Sequence, residues 1–285
     1  AAAALPTVES DCESLAALVA ELAKADHGLI MVMGKGGVGK TTIAAALALG
    51  LVGKGKSVHL STTDPAAHLA MTLEAEVAGL SVGRIDPKVE TQHYIAKLMA
   101  ARSPGMSEDE KALLLEDLRS PCTEEVAVFH AFSRVVSQAR SAFVVLDTAP
   151  TGHSLLLMDA TGAYHRQSLQ QWQHKSATHI ITPLMRLQDA DYTRIILVTL
   201  PEATPVLQAT ALQEDLRRAD IEPYAWVINK SLLASGTQDP LLRARLAGEM
   251  KQLQKVKAAS AHAVFLVPWT AAAPVGIAAL TALVE

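Results

Sequence analysis

Residues 34–41 read Gly-Lys-Gly-Gly-Val-Gly-Lys-Thr, a glycine-rich run that ends in Lys-Thr. In this pattern the glycines let successive backbone N–H groups curl around the phosphates of a nucleotide. We expect Lys40 to reach the β- and γ-phosphates and the Thr41 hydroxyl to ligate Mg²⁺. The residues expected to bind the nucleotide here are Gly34, Gly36, Gly37, Val38, Gly39, Lys40, Thr41 and Thr42.

A second lysine, Lys35, follows the first glycine of this loop. In a loop of this shape Lys35 points away from its own phosphates. Its ammonium is therefore better placed to reach a nucleotide across an interface between subunits or half-molecules. The alternative is a solvated surface lysine.

Two aspartates follow predicted strands and could act on the same phosphates. Asp64 could orient or deprotonate the attacking water and help to hold Mg²⁺. It could equally be a helix N-cap before Pro65, and the two roles are compatible. Asp147 ends an apolar strand, the Walker B arrangement that holds Mg²⁺ directly or through water. The glycine-containing loop after Asp147 can change conformation with the presence of the γ-phosphate and so act as a switch. His153 in that loop could be a metal ligand or a hydrogen-bonded edge residue.

Cys122 is the residue with thiol chemistry to offer. Ser120, Pro121 and Cys122 read as N-cap, N1 and N2 of a helix that continues to Ala139. A helix N-terminus favours a thiolate, although two following glutamates oppose it. The alternative is a small buried hydrophobic residue.

Apolar runs that alternate with helical patterns predict the elements that position these residues. Repeated β-α alternation predicts an α/β fold of the P-loop NTPase type, with a mainly parallel, doubly wound sheet and helices on both faces. The predicted strands are Leu29–Met33, Ser57–Ser61, Phe143–Asp147, Ile195–Leu200, Ala225–Asn229 and Ala263–Val267. The predicted helices are 11–26 with a Ser10/Glu13 capping box, one opening at Thr42, Ser107–Leu118, two that begin with the N-cap and N1 proline pairs Thr204-Pro205 and Asp239-Pro240, and one from Gly276.

Strand patterns disappear between Asp64 and Phe143, which predicts a mostly helical elaboration, residues 68–140, on the ligand edge of one domain spanning 1–285. Residues 1–10 read as a low-complexity linker. The chain starts with four alanines rather than methionine, so we expect a piece of something longer.

Composition narrows the class of protein. A net charge of −4 gives no basic footprint for nucleic acid. The two cysteines, Cys12 and Cys122, fit neither a disulfide framework nor a CxxC metal site, which indicates a reducing, cytosolic compartment. The stretch 263–284 lacks charge, but Pro268, Pro274 and Gly276 favour a strand, loop and short helix over a membrane span.

Four segments together resemble the arsenical pump-driving ATPases, the ArsA family: residues 34–42, 63–68, 119–125 and 147–153. The resemblance covers nearly the whole chain from about residue 13. It implies a deviant Walker A loop of the SIMIBI type, in which Lys35 contacts nucleotide across a dimer-like interface. It also implies that Asp64 belongs to switch I and residues 147–153 to switch II.

The implied activity is ATP hydrolysis with Mg²⁺, stimulated by metalloid, that drives arsenite and antimonite through an integral-membrane carrier. The chain looks like the second, C-terminal half of such a protein. Its implied partners are a homologous ATPase half, in the same polypeptide or as a dimer, the carrier and a metallochaperone. The implied location is cytoplasmic, at the inner membrane through the carrier.

The resemblance also implies ligands for As(III) or Sb(III), namely Cys122 and His153, with Ser120 as a weaker contributor. Thiolates suit these metalloids. One cysteine cannot make a multi-thiolate site, so a companion half must supply the rest. Asn229 and Pro268 match family positions near the adenine. Ala273 replaces the family's usual glutamate before Pro274, which puts the role of that closing loop in doubt.

Two other functions compete with this one. A tail-anchored-protein targeting ATPase shares the loop and both switches, but uses a hydrophobic client groove and often a CxxC zinc site, which this chain lacks. Met71, Met99 and Met106 could line such a groove or fill a core. A regulatory half that hydrolyses ATP slowly is the other candidate. Partition ATPases are disfavoured because they lack the Ser120-Pro121-Cys122 arrangement. Relatives of the nitrogenase iron protein are disfavoured because this chain lacks the cysteines for an iron–sulfur cluster.

Overall fold

The computed structural model describes residues 12–64, 72–148, 182–260 and 262–285. Eight strands form one sheet in the order β1-β8-β7-β6-β2-β5-β3-β4, and every neighbouring pair is parallel. The strands are β1 (Glu13–Ser14), β2 (Gly28–Met33), β3 (Val58–Thr62), β4 (Leu80–Arg84), β5 (Phe143–Asp147), β6 (Thr193–Thr199), β7 (Ala225–Ser231) and β8 (Val264–Pro268). The predicted α/β fold class is confirmed.

Helices connect these strands along the described parts of the chain. They are α1 (Leu15–Leu22), α2 (Lys40–Gly53), α3 (Pro87–Arg102), α4 (Glu108–Asp117), α5 (Pro121–Gln138), α6 (Pro183–Gln188), α7 (Ala203–Arg218), α8 (Leu232–Ser235), α9 (Pro240–Ala259) and α10 (Ile277–Thr281). None of the helices in the described ranges is long and apolar enough to cross a membrane.

The sheet has a hydrophobic core on each face. Residues of α1, α2 and α10 pack on one face, and residues of α5, α6, α7 and α9 pack on the other. All residues of β2 and β5 are buried, because both faces of a parallel sheet are covered by helices. The strand register places Asp147 beside Val32 on one side and Thr62 on the other. The carboxyl ends of β2, β3 and β5 therefore lie together at one edge.

Most predicted elements are confirmed, with ends shifted by one or two residues. The Ser107/Glu110 capping box of α4 is present, and Asp239 caps α9 by accepting from the N–H groups of Leu241 and Leu242. The closing helix follows Gly276 as predicted.

The prediction for the first helix is wrong at its start. Glu13 belongs to β1 and pairs with Phe265, and α1 begins at Leu15 with Ser14 as its N-cap. Ser10 lies outside the described residues. Pairing with β8 has taken the residues that local sequence assigned to the first helical turn.

Two further predictions are corrected. Thr204 is not an N-cap, because α7 begins one residue earlier, at Ala203, after Glu202. The expected absence of strands between Asp64 and Phe143 is also wrong, since β4 pairs with β3 there. The strand β4 forms the sheet edge and is largely exposed, so it lacks the apolar run that marks a buried strand.

The described residues between β4 and β5 are mostly helical. Within the described residues, α3 and α4 bury none of their side chains fully. The helix α3 packs on α5 through stacked rings of Tyr94 and His130 and an ion pair between Glu90 and Arg134. Met99 and Met106 are partly buried, and Met71 lies outside the described residues.

Candidate nucleotide site

The glycine-rich loop leaves β2 and enters α2 at the sheet's carboxyl edge, where open α/β sheets bind ligands. Two of its glycines have no room for a side chain. A Cβ on Gly34 would lie 2.3 Å from the Val198 carbonyl oxygen, and one on Gly39 would lie 2.2 Å from Asn229 Nδ2. Gly39 also has a φ of 94°, a conformation that favours glycine. The loop is thus held against the ends of β6 and β7.

Lys40 is the first residue of α2 and is 5% exposed. Its Nζ donates a hydrogen bond to the Lys35 carbonyl oxygen at 3.1 Å. Burial lowers the pKa of Lys40, while the nearby carboxylates of Asp147 and Asp64 act in the opposite direction. The amino group therefore lies folded over the loop, where an anionic phosphate would meet it.

Asp147 occupies the centre of the site and is fully buried. Its Oδ2 accepts hydrogen bonds from Thr41 Oγ1 at 2.8 Å and from Thr62 Oγ1 at 3.2 Å. Burial raises the pKa of Asp147 to about 6, against the lowering effects of these hydroxyls and of Lys40. The predicted pair Thr41 and Asp147 is thus brought together, and Thr62 joins it.

The second oxygen of Asp147 tests whether the site suits Mg²⁺. Among the described residues, Asp147 Oδ1 is buried and has no hydrogen-bond partner. A buried polar atom without a partner is uncommon in proteins and often marks the place of an ion. The Thr41 hydroxyl lies beside the same carboxylate, and both are oxygen donors of the kind that Mg²⁺ takes. These residues fit the ion.

The segment after β3 is joined to Asp147 through its backbone. The Thr63 N–H donates to the Asp147 carbonyl oxygen at 2.9 Å, and the Asp64 N–H donates to Thr62 Oγ1 at 3.0 Å. Asp64 therefore lies near Asp147 and is partly exposed. Thr148 is also fixed, because its hydroxyl donates to the Val32 carbonyl oxygen at 2.9 Å. The predicted residues 65–68 and 149–153, including His153, lie outside the described residues.

Asn229 lies near the end of β7, and Pro268 ends the neighbouring strand β8. Asn229 Nδ2 donates to the Val38 carbonyl oxygen at 2.9 Å, so the side chain holds the phosphate loop. Pro268 pairs with Ser231 across β7 and β8. Their predicted position near the adenine stays a prediction. Ala273 is exposed in the closing loop.

The predicted thiol is on the surface. Cys122 is exposed in the first turn of α5, so the alternative of a buried hydrophobic residue is wrong. Ser120 is the N-cap as predicted, but its hydroxyl lies 3.1 Å from that of Thr123 and forms no cap hydrogen bond. Within the described residues there is no group of three or more His, Cys, Asp and Glu side chains that could hold a metal. Cys12 is partly buried against the core.

Thr62 is the site residue that sequence reasoning missed. Its position at the end of β3 was available, but a threonine there has no motif of its own. Thr62 becomes part of the site only because it pairs with Asp147 across β3 and β5, which lets its hydroxyl donate to the Asp147 carboxylate.

Comparison with known families agrees with this geometry. A family described as anion-transporting ATPase, the ArsA ATPases, matches residues 27–187 and 163–285. The chain belongs to this family. An arsenical pump-driving ATPase from Escherichia coli is 55% identical over 267 residues, which are 94% of this chain and 46% of the relative.

Other relatives extend the comparison. An arsenical pump-driving ATPase from Acidiphilium multivorum is 53% identical over 272 residues, covering 95% of this chain and 46% of the relative. The ATPase GET3A of Arabidopsis thaliana is 27% identical over 270 residues, covering 79% of this chain and 73% of that protein. The chain thus spans about half the length of the arsenical pump relatives that it matches at more than 50% identity.

Proposed function

We propose that this chain is an ATP-hydrolysing half of a metalloid-stimulated ATPase that powers arsenite and antimonite extrusion through a membrane carrier. The observation that carries the proposal is the buried Asp147 carboxylate joined to Thr41 of the phosphate loop. The printed names of the relatives that are 53–55% identical supply the substrate class. A cytoplasmic position, peripheral to the inner membrane through the carrier, is part of the same proposal, as is delivery by a metallochaperone.

In the proposed reaction, the loop N–H groups bind the phosphates and Lys40 turns from the Lys35 carbonyl to the β- and γ-phosphates. Phosphoryl transfer depends mainly on positioning and charge neutralisation, so a buried ammonium in this place is effective. Asp64 orients the attacking water or accepts its proton. Thr41 and Asp147 would hold Mg²⁺, which would supply positive charge to neutralise the phosphates.

Lys35 completes the site from another copy of this fold. Its carbonyl oxygen accepts a hydrogen bond from Lys40 Nζ, and the residue is partly exposed. We propose that its ammonium reaches the nucleotide of a homologous half. The half-length match to the arsenical pump ATPases supports such a pairing.

The metalloid is proposed to bind at Cys122, with His153 and Ser120, and to recruit further ligands from the companion half. The exposure of Cys122 supports this, because a ligand shared between halves must be reachable from outside the chain. Closure on the metalloid would bring Lys35 onto the opposing nucleotide. By linkage, nucleotide would then tighten metalloid binding by the same factor.

Replacing Lys40 tests the nucleotide chemistry. In the complete protein, Lys40→Gln at this site should lower Mg²⁺-dependent ATP hydrolysis there by about 100-fold or more, because a preorganised charge on the transferring phosphoryl group is lost. Lys54→Gln, which removes an exposed lysine after α2, is the control and should retain the wild-type rate. Equal rates for wild type and Lys40→Gln would contradict ATP hydrolysis at this site.

Replacing Cys122 tests the metalloid role separately. Antimonite retained after gel filtration with MgATP, measured by elemental mass spectrometry, should fall in Cys122→Ala. Cys12→Ala is the matched thiol control and should retain the wild-type amount. If the two variants bind equally, the thiol of Cys122 is not a ligand.

The targeting alternative is less favoured, since the relatives with other names are 26–27% identical, whereas three arsenical pump-driving ATPases are 53–55% identical. A regulatory half remains distinguishable by its rate. It would bind MgATP yet show no loss of hydrolysis on Lys40→Gln, because its own turnover would contribute nothing.

A further inference from the structure

The last residues of β7 have a strained backbone, where its pairing with β8 shifts register between Ile228 and Ser231. We call the irregular segment 229–231 the Lys230 turn. Lys230 has a φ of 57°, which places a non-glycine residue in the left-handed region. Such a conformation costs free energy and persists where surrounding contacts impose it. The strained residue is adjacent to the asparagine that holds the phosphate loop.

Glu249 on α9 supplies the contacts that impose this turn. The side chain is 5% exposed, and its carboxylate accepts hydrogen bonds from Ser231 Oγ at 2.5 Å, the Leu232 N–H at 2.9 Å and the Leu233 N–H at 3.2 Å. Hydrogen bonds to a carboxylate are stronger than those between neutral groups. Glu249 thus fixes the backbone directly after Lys230.

The same turn is joined to the phosphate loop. The Lys230 N–H donates to Asn229 Oδ1 at 2.9 Å, while Asn229 Nδ2 donates to the Val38 carbonyl oxygen. Both ends of the Asn229 amide are thereby occupied. A continuous series of hydrogen bonds and covalent links runs from Glu249 through the turn to the loop.

The outer side of the turn, where Lys230 is exposed, is partly open. A cavity of about 540 Å³ lies there, and its lining includes Lys230, Glu249, Gln252 and Trp269. Two groups hold the backbone on that side: the carboxylate of Glu249, and the Trp269 N–H, which donates to the Ser231 carbonyl oxygen at 2.9 Å.

We propose that Glu249 is a positioning residue for nucleotide binding, which holds the Lys230 turn so that Asn229 keeps the phosphate loop in shape. It touches no nucleotide itself. The inference rests on the proposed ATP site and adds a residue from a distant helix to it. The competing explanation is a purely structural role, in which Glu249 only accepts hydrogen bonds from the N–H groups at the start of α8.

The test uses equilibrium binding of a fluorescent ATP analogue to the complete protein, with nucleotide binding at the other half blocked, together with KM and kcat. Glu249→Ala should weaken binding about tenfold or more, with a larger effect on KM than on kcat. Glu249→Gln, which keeps an acceptor oxygen, should fall between Glu249→Ala and wild type. Glu214→Ala removes an exposed carboxylate from α7 and should behave as wild type.

A second substitution separates positioning from mere support of the fold. Lys230→Gly removes the cost of the left-handed backbone. In the Glu249→Ala background it should recover a large part of the lost affinity, measured at a temperature where both variants are fully folded. Unchanged affinity in Glu249→Ala, or a loss that Lys230→Gly leaves untouched, would overturn the inference. A wild-type protein that binds no analogue at this site would instead overturn the proposed function.

If Glu249→Ala does not fold, the comparison is made in Glu249→Gln. Its loss of affinity and partial recovery by Lys230→Gly support the inference. Wild-type affinity in that variant, or a loss without recovery, counts against it.

Discussion

The two carboxylate oxygens of Asp147 have different roles: one is bound by the protein, and the other is placed to bind the expected ion. Oδ2 is held by two hydroxyls, while Oδ1 is buried and unpaired among the described residues. Burial disfavours the charged form and raises the pKa of Asp147 to about 6, although the two hydroxyls act in the opposite direction. The nucleotide-free site therefore stores an electrostatic cost that Mg²⁺ would remove.

This cost predicts a pH dependence of stability. The folded-state pKa is raised above its unfolded value, so the folded chain binds the proton more tightly and loses stability as pH rises through 6. Without nucleotide or Mg²⁺, wild type should lose about 1 kcal/mol more than Asp147→Asn between pH 5 and 7.5. Urea unfolding at the two pH values measures this. Parallel pH profiles for the two proteins would contradict it.

For individual residues of the site, the sequence was informative where they belong to a known motif. Lys40, Thr41 and Asp147 were predicted because phosphate and Mg²⁺ chemistry requires those types at those places. Thr62 and Glu249 were not, because each acts through a partner far away in sequence. A residue whose role depends on register or on packing of a remote helix leaves no local pattern.

Among the elements, the end of β6 has a direct effect on the phosphate loop. The Val198 carbonyl oxygen lies only 2.3 Å from the position that a Cβ on Gly34 would take, so strand and loop are in close contact. The loop is therefore shaped by the neighbouring strand as well as by its own glycines.

This contact predicts the effect of Gly34→Ala. The added methyl must displace backbone, which should lower ATP-analogue affinity at least tenfold and destabilise the chain by 1–3 kcal/mol in order of magnitude. Gly53→Ala at the end of α2 is the control, because an added Cβ there meets no atom within 4 Å. Equal affinity in the two variants would show that the loop does not depend on this contact.

The elements also show where sequence reasoning stops. Buried strands such as β2 and β5 were predicted because covered parallel strands are continuous apolar runs. The edge strands β1 and β4 were missed. The strand β1 has two residues and β4 is mostly exposed, so each forms a strand because it pairs with a neighbouring strand and not because of its own sequence pattern. The shifted start of α1 has the same cause.

For the whole molecule, the half-length match and the position of Lys35 bear on one question, the need for a companion half. Cys122 is exposed, and the described residues near it supply no metal cluster. A site made between two halves would explain both features. The sequence indicated this pairing through the family resemblance, while a single chain cannot display the interface.

Pairing predicts a selective defect in Lys35→Ala. In the complete protein this substitution should lower kcat by about 100-fold, because the charge would stabilise the transferring phosphoryl group across the interface. ATP-analogue affinity at the site of the same chain should change less than threefold. Lys54→Ala is the matched lysine control. A loss of affinity equal to the loss of kcat would place Lys35 on its own nucleotide instead.

The most direct test of the account is the rate of Mg²⁺-dependent ATP hydrolysis by the complete protein with and without antimonite, in wild type and Cys122→Ala. We predict that antimonite stimulates wild type, and that in Cys122→Ala the stimulation is lost or requires at least tenfold more antimonite. Cys12→Ala should respond as wild type. Hydrolysis that is robust in every variant and indifferent to antimonite would contradict the proposed metalloid-stimulated ATPase.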